Sequence, residues 1–295
     1  MDDSDLSLFL SLAATLGFAT ASLVYAEYSR KVSVLWMNCF KACVCMIALT
    51  IAVPVIGGWH EITPFSLGAL ALSGLLGLNI ADLFLLTAFT KLGAARTLIL
   101  FGFQPLIVGV GAYYLFGQPL EGERFLAIIF LIGCLFTFSL ERFRTEKRWE
   151  IAGLAFALIG VTLDGLGILL TRSAFQASPA VNAIEGNFWR CLGAVVGFAI
   201  MSRIRPIPLI SGLTQWPTRT RIIITVAAFA GTFLSLSMYL TAVRIGHLAS
   251  LAGIAITGPM FATFLESVIH KKWPSRYLIV ALGFFLAGFY VLLRA

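Results

Sequence analysis

Residues 65–90 read FSLGALALSGLLGLNIADLFLLTAFT, with Asp82 as the one ionisable side chain. As a helix this run spans about 39 Å, more than the ~30 Å hydrocarbon core of a bilayer. It therefore reads as a transmembrane helix. Nine further apolar runs flank it, at 6–28, 33–57, 95–117, 123–141, 150–172, 181–201, 221–243, 248–270 and 274–294. Gly57-Gly58, Pro64, Pro119, Pro179 and Pro274 punctuate the cuts. At about 20 residues per span, ten spans use ~200 residues. The expectation is an all-α membrane protein with ten transmembrane helices and no soluble catalytic domain.

Composition agrees. The 295 residues are 59% apolar and 12% charged, with mean hydropathy +0.95, against about 45–50% and about 25% in soluble domains. An ordinary soluble enzyme and a disordered chain are both excluded. The net charge of +7 is read as loop charge facing a membrane surface. No basic patch is interleaved with aromatics, so nucleic acid is not an expected partner. Cys39, Cys43, Cys45, Cys134 and Cys191 lie in apolar runs without a CxxC pair, so they are read as packing residues, with no metal and no cofactor. The acidic start, Met1-Asp2-Asp3-Ser4-Asp5, is unlike a signal peptide, and the first run is expected to stay as a span.

The two halves of the chain resemble each other. Leu86-Thr87-Ala88 recurs as Leu240-Thr241-Ala242, Gly77 as Gly231 and Pro105 as Pro259, all at an offset of 154. Asn38-Cys39-Phe40-Lys41 parallels Asn187-Phe188-Trp189-Arg190. Several matches in one order indicate duplication, dividing the chain into a five-helix repeat over 1–144 and another over 145–295. Five is odd, so the second repeat would enter the membrane from the opposite side. Such inverted-topology repeats place a substrate site near the midplane. Of the 21 Lys and Arg, 15 fall in connections on one side and four on the other. By the positive-inside rule the richer side is cytoplasmic and both termini face outward.

With ten short spans as five plus five, and the loop Leu85-Leu86-Thr87-Ala88-Phe89-Thr90-Lys91-Leu92-Gly93-Ala94-Ala95-Arg96 leading into a span with Pro105, the chain resembles the drug/metabolite transporter superfamily, EamA-type. The resemblance covers nearly the whole chain. It implies a carrier in the bacterial inner membrane, often an exporter of amino acids or related metabolites, with a cavity lined by the first, third, fourth, sixth, eighth and ninth spans. Gln118 and Lys272 stand where the family commonly has glutamate, and the loop Gly57-Gly58-Trp59-His60-Glu61 lacks the family's basic residues. The resemblance thus puts the N-terminus inside, against the charge count.

Charges within the spans are the best functional leads, because each costs several kcal/mol at the bilayer centre unless paired or wet. They are Lys41, Asp82, Asp164, Arg190 and Glu266. Counting residues from the span ends pairs Lys41 with Asp82 toward the inner face and Arg190 with Asp164 toward the outer face. These are candidate gates; static neutralising bridges and snorkelling are the structural alternatives. Asn79 lies three residues before Asp82, on the same face of an α-helix. Gln104 adjoins Pro105, and Pro105 and Pro259 each remove a backbone hydrogen bond and free a carbonyl for substrate, with a helix kink that only shapes packing as the alternative. Asp82 and Glu266 are candidate proton carriers. Gly193 and Gly197 permit close packing, within the chain or in a homodimer.

No GxxxxGK[ST] loop is present, so ATP is not the direct driver. The expected function is secondary transport, as an exporter, of small organic metabolites such as amino acids across the cytoplasmic membrane, with proton coupling through a carboxylate. Export of cationic drugs through Asp82 and Asp164 is the alternative. An intramembrane enzyme lacks a clustered catalytic site, since His60, His247 and His270 lie at separate helix ends. A non-transporting scaffold leaves the buried charges unexplained.

Overall fold

Local signals set the helix boundaries. In the computed structural model, which describes residues 3–116, 150–245, 257–271 and 273–294 with scattered positions from 126 to 144, α1 (Asp3–Tyr28) runs to a tight loop. Ser33 then caps α2 (Val34–Val55) by accepting from the Trp36 N–H. Thr63 caps α3 (Pro64–Leu92) in the same way, with Pro64 in the first turn, where its missing N–H costs nothing. Gly93, at φ +87°, ends α3 and opens α4 (94–116). Then come α5 (Ile151–Ala177), α6 (Ala183–Ile204), a short α7 (Leu209–Thr214), α8 (218–245), α9 (Thr257–His270) and α10 (Arg276–Arg294). Among the described residues there is no strand. The expected fifth span (123–141), Gln118 and Lys272 lie largely or wholly outside the described residues.

Among the described residues, five helices are long and apolar enough to cross a membrane: Phe9–Tyr28, Val34–Val55, Pro64–Leu92, Ile151–Ala177 and Thr218–Ala242. The 22-residue α6 carries Glu185, Arg190 and Arg203, which lower its hydropathy.

Duplication is visible in the backbone. Residues 34–55 of α2 correspond to 183–204 of α6, an offset of 149, and their caps Ser33 and Asn182 differ by the same number. The α3 segment Pro64–Gly74 corresponds to Thr218–Ala228 of α8 at an offset of 154. Each is followed by a seven-residue π turn, Leu75–Ala81 and Phe229–Ser235, at that same offset.

The core lies where α3 runs between α5 and α6. Gly74 and Gly193 let α3 and α6 touch backbone to backbone: a Cβ on Gly193 would lie 2.0 Å from Ala71 O. A Cβ on Gly197 would lie 2.6 Å from Asn79 Nδ2. The glycine face of α6 is thus packed against α3 inside the chain.

Candidate functional site

Lys41 comes from α2 and Asp82 from α3. Lys41 Nζ donates to Asp82 Oδ2 at 2.5 Å. Lys41 is 6% exposed, so it does not snorkel to the headgroups. The ring of Tyr25 on α1 faces its ammonium at 5.4 Å. The Tyr25 hydroxyl donates to Ala227 O at 3.0 Å and lies 3.2 Å from Thr232 Oγ1, tying α1 to α8 beside the ion pair. Removing one partner leaves a lone buried charge, a loss of about 3–5 kcal/mol. Lys41→Asp and Asp82→Lys are each expected to lower the folded level in membranes and the transport. The double exchange is expected to recover both, as read by fluorescence size-exclusion and solute counterflow.

Arg190 of α6 is 1% exposed. Among the described residues its one hydrogen bond runs from Nε to Ser73 Oγ of α3, at 3.0 Å. Ser73 Oγ also meets Gly167 O and Thr171 Oγ1 of α5, both at 2.7 Å. Asp164 of α5 is half-buried, and its Oδ2 accepts from Gln104 Nε2 of α4 at 2.6 Å. The expected direct Arg190–Asp164 bridge is not formed. The two groups flank Gly77 instead: a Cβ there would lie 3.3 Å from Asp164 Oδ1 and 3.5 Å from Arg190 Nη2. Tyr239 of α8 is half-buried within electrostatic reach of both.

The expectation of one pair at each face needs correction. Gly77 and Asp82 are five residues apart on α3, about 7.5 Å along the axis. The four charges therefore form neighbouring layers of one polar core. Depth counting carries the reason: eight or nine residues in from either face is about 12–13 Å, which in a ~30 Å core leaves only about 5 Å between the layers.

Asn79 sits in the π turn, where the Asp82 N–H reaches back to both Asn79 O and Gly77 O. Fully buried, it donates from Nδ2 to Ala194 O at 3.0 Å. Its backbone carbonyl accepts from Asn38 Nδ2 at 2.9 Å. Asn187, the repeat equivalent of Asn38, reaches from α6 to Ser237 Oγ of α8 at 3.3 Å. These asparagines bind helices together.

Pro105 does not free a carbonyl either. A 3-10 turn, Phe101–Phe103, precedes it, and the Gln104 N–H bonds Phe101 O, the carbonyl that Pro105 leaves without its α-helical donor. Pro259 is buried in the first turn of α9, and the carbonyl four residues before it lies outside the described residues. Glu266 stands apart from the polar core, its Oε1 3.6 Å from where a Gly93 Cβ would be. Trp36 is 4% exposed, with Nε1 donating to Pro208 O at 3.1 Å. Glu27 pairs with Lys31 at 2.5 Å on the surface, where its carboxylate raises the Lys31 pKa.

Sequence reasoning missed Tyr25, Ser73 and Tyr239. Ser73 sits nine residues before Asp82 in the opening stretch, but a lone serine in an apolar helix carries no signal of its own. The described residues hold no group of three metal-ligating side chains.

The family model of the EamA-like transporters matches residues 5–140 and again 148–294. The chain belongs to the EamA-like transporter family. It is thus a multi-pass membrane protein of a transporter family, built of two EamA repeats, within the drug/metabolite transporter superfamily. A solved chain described as "Crystal structure of protein" superposes with a TM-score of 0.68 at 13% identity, covering 98% of this chain and 96% of that one. This likeness shows the fold alone. No curated protein matches the sequence. For a member of the EamA-like family, the polar core among α1, α2, α3, α5, α6 and α8 is the natural candidate for the transport site.

Proposed function

We propose that this EamA-like protein is a secondary transporter that exports small zwitterionic metabolites such as amino acids across the cytoplasmic membrane. One observation carries the reading. Arg190 and Asp164 are opposite charges in one polar core, and each is hydrogen-bonded to a neutral side chain rather than to the other. A carboxylate on Arg190 and an ammonium at Asp164 would complete both. A cation alone would meet Arg190 and be repelled, which disfavours the cationic-drug reading.

Alternating access of two inverted five-helix repeats is the mechanism that fits. The α2–α3 loop of the first repeat meets the α5–α6 loop of the second, through Thr63 N to Ser178 Oγ at 3.1 Å. Lys91 of α3 meets Glu150, before α5, at 3.6 Å at the other end. These two contacts support the inverted reading, in which corresponding loops of the two repeats lie at opposite ends. The Lys- and Arg-rich connections at the Lys91 end would face the cytoplasm.

Counterflow in proteoliposomes tests the reading, using a panel of amino acids, organic anions and a lipophilic cation, with and without a pH gradient. Saturable exchange of a zwitterion is expected. Exchange confined to singly charged solutes rejects it.

A further inference from the structure

The α2–α3 connection (56–63) and the α5–α6 connection with the start of α6 (178–185) come from different repeats and are stitched together. Glu185, fully buried in the first turn of α6, accepts from His60 N at 3.2 Å, and its Oε2 lies 2.8 Å from His60 Nδ1. Ser178 Oγ receives the Thr63 N–H at 3.1 Å, lies 3.2 Å from Thr63 Oγ1 and donates to Ser66 Oγ at 2.9 Å. Ser66 Oγ donates onward to Ala174 O at 2.8 Å. Gly57, at φ +146°, packs where a Cβ would lie 3.2 Å from Asn182 Nδ2. Trp59 lies across Phe188 at 4.8 Å and Trp189 at 5.6 Å between ring centroids.

From Ser66, where this stitching ends, to Ser73, where the polar core begins, α3 runs seven residues, about 10 Å. The seam therefore closes the bundle directly above Arg190 and Asp164. A carboxylate with no exposed surface is stable there only while its donors are in place. The opposite end is held differently: the cross-repeat pair Lys91–Glu150 is longer, and the Lys91 side chain is 38% exposed.

We infer that the His60–Glu185 and Thr63–Ser178–Ser66 contacts form a clasp that gates the extracytoplasmic end of the transport path and opens by separating the two repeats. The inference rests on the transport reading and adds the gate of that same site. It replaces Lys41–Asp82 and Arg190–Asp164 as the gating contacts, since those lie within the core.

The test needs no knowledge of the substrate. Tyr239→Cys is placed in a background lacking the five native cysteines. Its reaction with a membrane-impermeant methanethiosulfonate reagent, added to the outside of intact cells, is then timed. His60→Ala with Glu185→Gln removes the His60–Glu185 half of the clasp without leaving a buried charge unpaired, and labelling is expected to accelerate about tenfold, the effect of one lost charge-assisted hydrogen bond. An unchanged rate in a variant that stays monodisperse overturns the inference. Thr63→Cys with Ser178→Cys supplies the opposite arm, which does not depend on the first variant folding. Oxidation is expected to slow labelling about tenfold, and a reductant to restore it; labelling indifferent to oxidation counts against the clasp. Clasp-dependent labelling in a chain that exchanges no solute of the panel would keep the gate and reject the transport reading.

Discussion

Gly74→Ala is expected to abolish the folded protein, although it adds one methyl group. The ideal Cβ at residue 74 falls 1.6 Å from Arg190 O and 2.7 Å from Arg190 Cα. Both are backbone atoms of α6, so no rotamer change relieves the overlap. α3 and α6 would have to separate by more than an ångström along their crossing, and Asn79–Ala194 O and Arg190–Ser73 would break with it. Ordinary overpacking costs about 1–3 kcal/mol where side chains can move aside; a backbone collision that also strands a buried guanidinium exceeds that range. Gly68→Ala is the control. It lies six residues earlier on the same helix with nothing within 4 Å of its Cβ, and alanine there gains up to about 1 kcal/mol of helix propensity. Thermal unfolding in detergent, followed by size-exclusion, checks both: aggregation or absence for Gly74→Ala, an unchanged or slightly raised midpoint for Gly68→Ala. A monodisperse Gly74→Ala protein with an ordinary midpoint would refute the close α3–α6 contact.

The same contact explains what could be read from the sequence. Helix positions were legible because a lipid-facing helix must be apolar along its whole length, and because Gly57-Gly58, Pro64, Pro179 and Pro274 punctuate it by local chemistry. The repeat was legible because both copies keep residues at fixed offsets: Asn38 with Asn187, Gly77 with Gly231. The π turns were not, since Leu75–Ala81 and Phe229–Ser235 are ordinary apolar stretches whose winding is set by neighbouring helices. Single buried charges were visible as costly exceptions in lipid. Their partners were not, because Gln104 and Ser73 meet Asp164 and Arg190 only through tertiary packing between helices distant in sequence. Lys41 and Asp82 were pairable because neighbouring helices in one hairpin place equal depths together.

Neutralising Arg190 and Asp164 together is expected to separate structure from transport. Arg190→Gln alone leaves Asp164 without its nearby cation, and Asp164→Asn alone leaves a guanidinium at 1% exposure without its nearby anion. Each single change should therefore lower both the folded level and transport, since an uncompensated buried charge costs about 3–5 kcal/mol. The double variant leaves no lone charge in this layer, and amides can keep the bonds to Ser73 and Gln104. Its folded level should return to near that of the parent. Zwitterion counterflow should not return. Each lost charge-assisted contact to substrate is worth about 1.5–3 kcal/mol, so two together lower exchange by at least about a hundredfold at limiting substrate. The Lys41–Asp82 double exchange is the comparison, because there charge balance is restored with the sign of each helix reversed and transport is expected to return. If the Arg190–Asp164 double variant transports as the parent does, the two charges only balance each other across Gly77, and the substrate must be held elsewhere in the core. If it folds and fails to exchange, while the Lys41–Asp82 exchange recovers, the layer beside Gly77 is where the zwitterion sits.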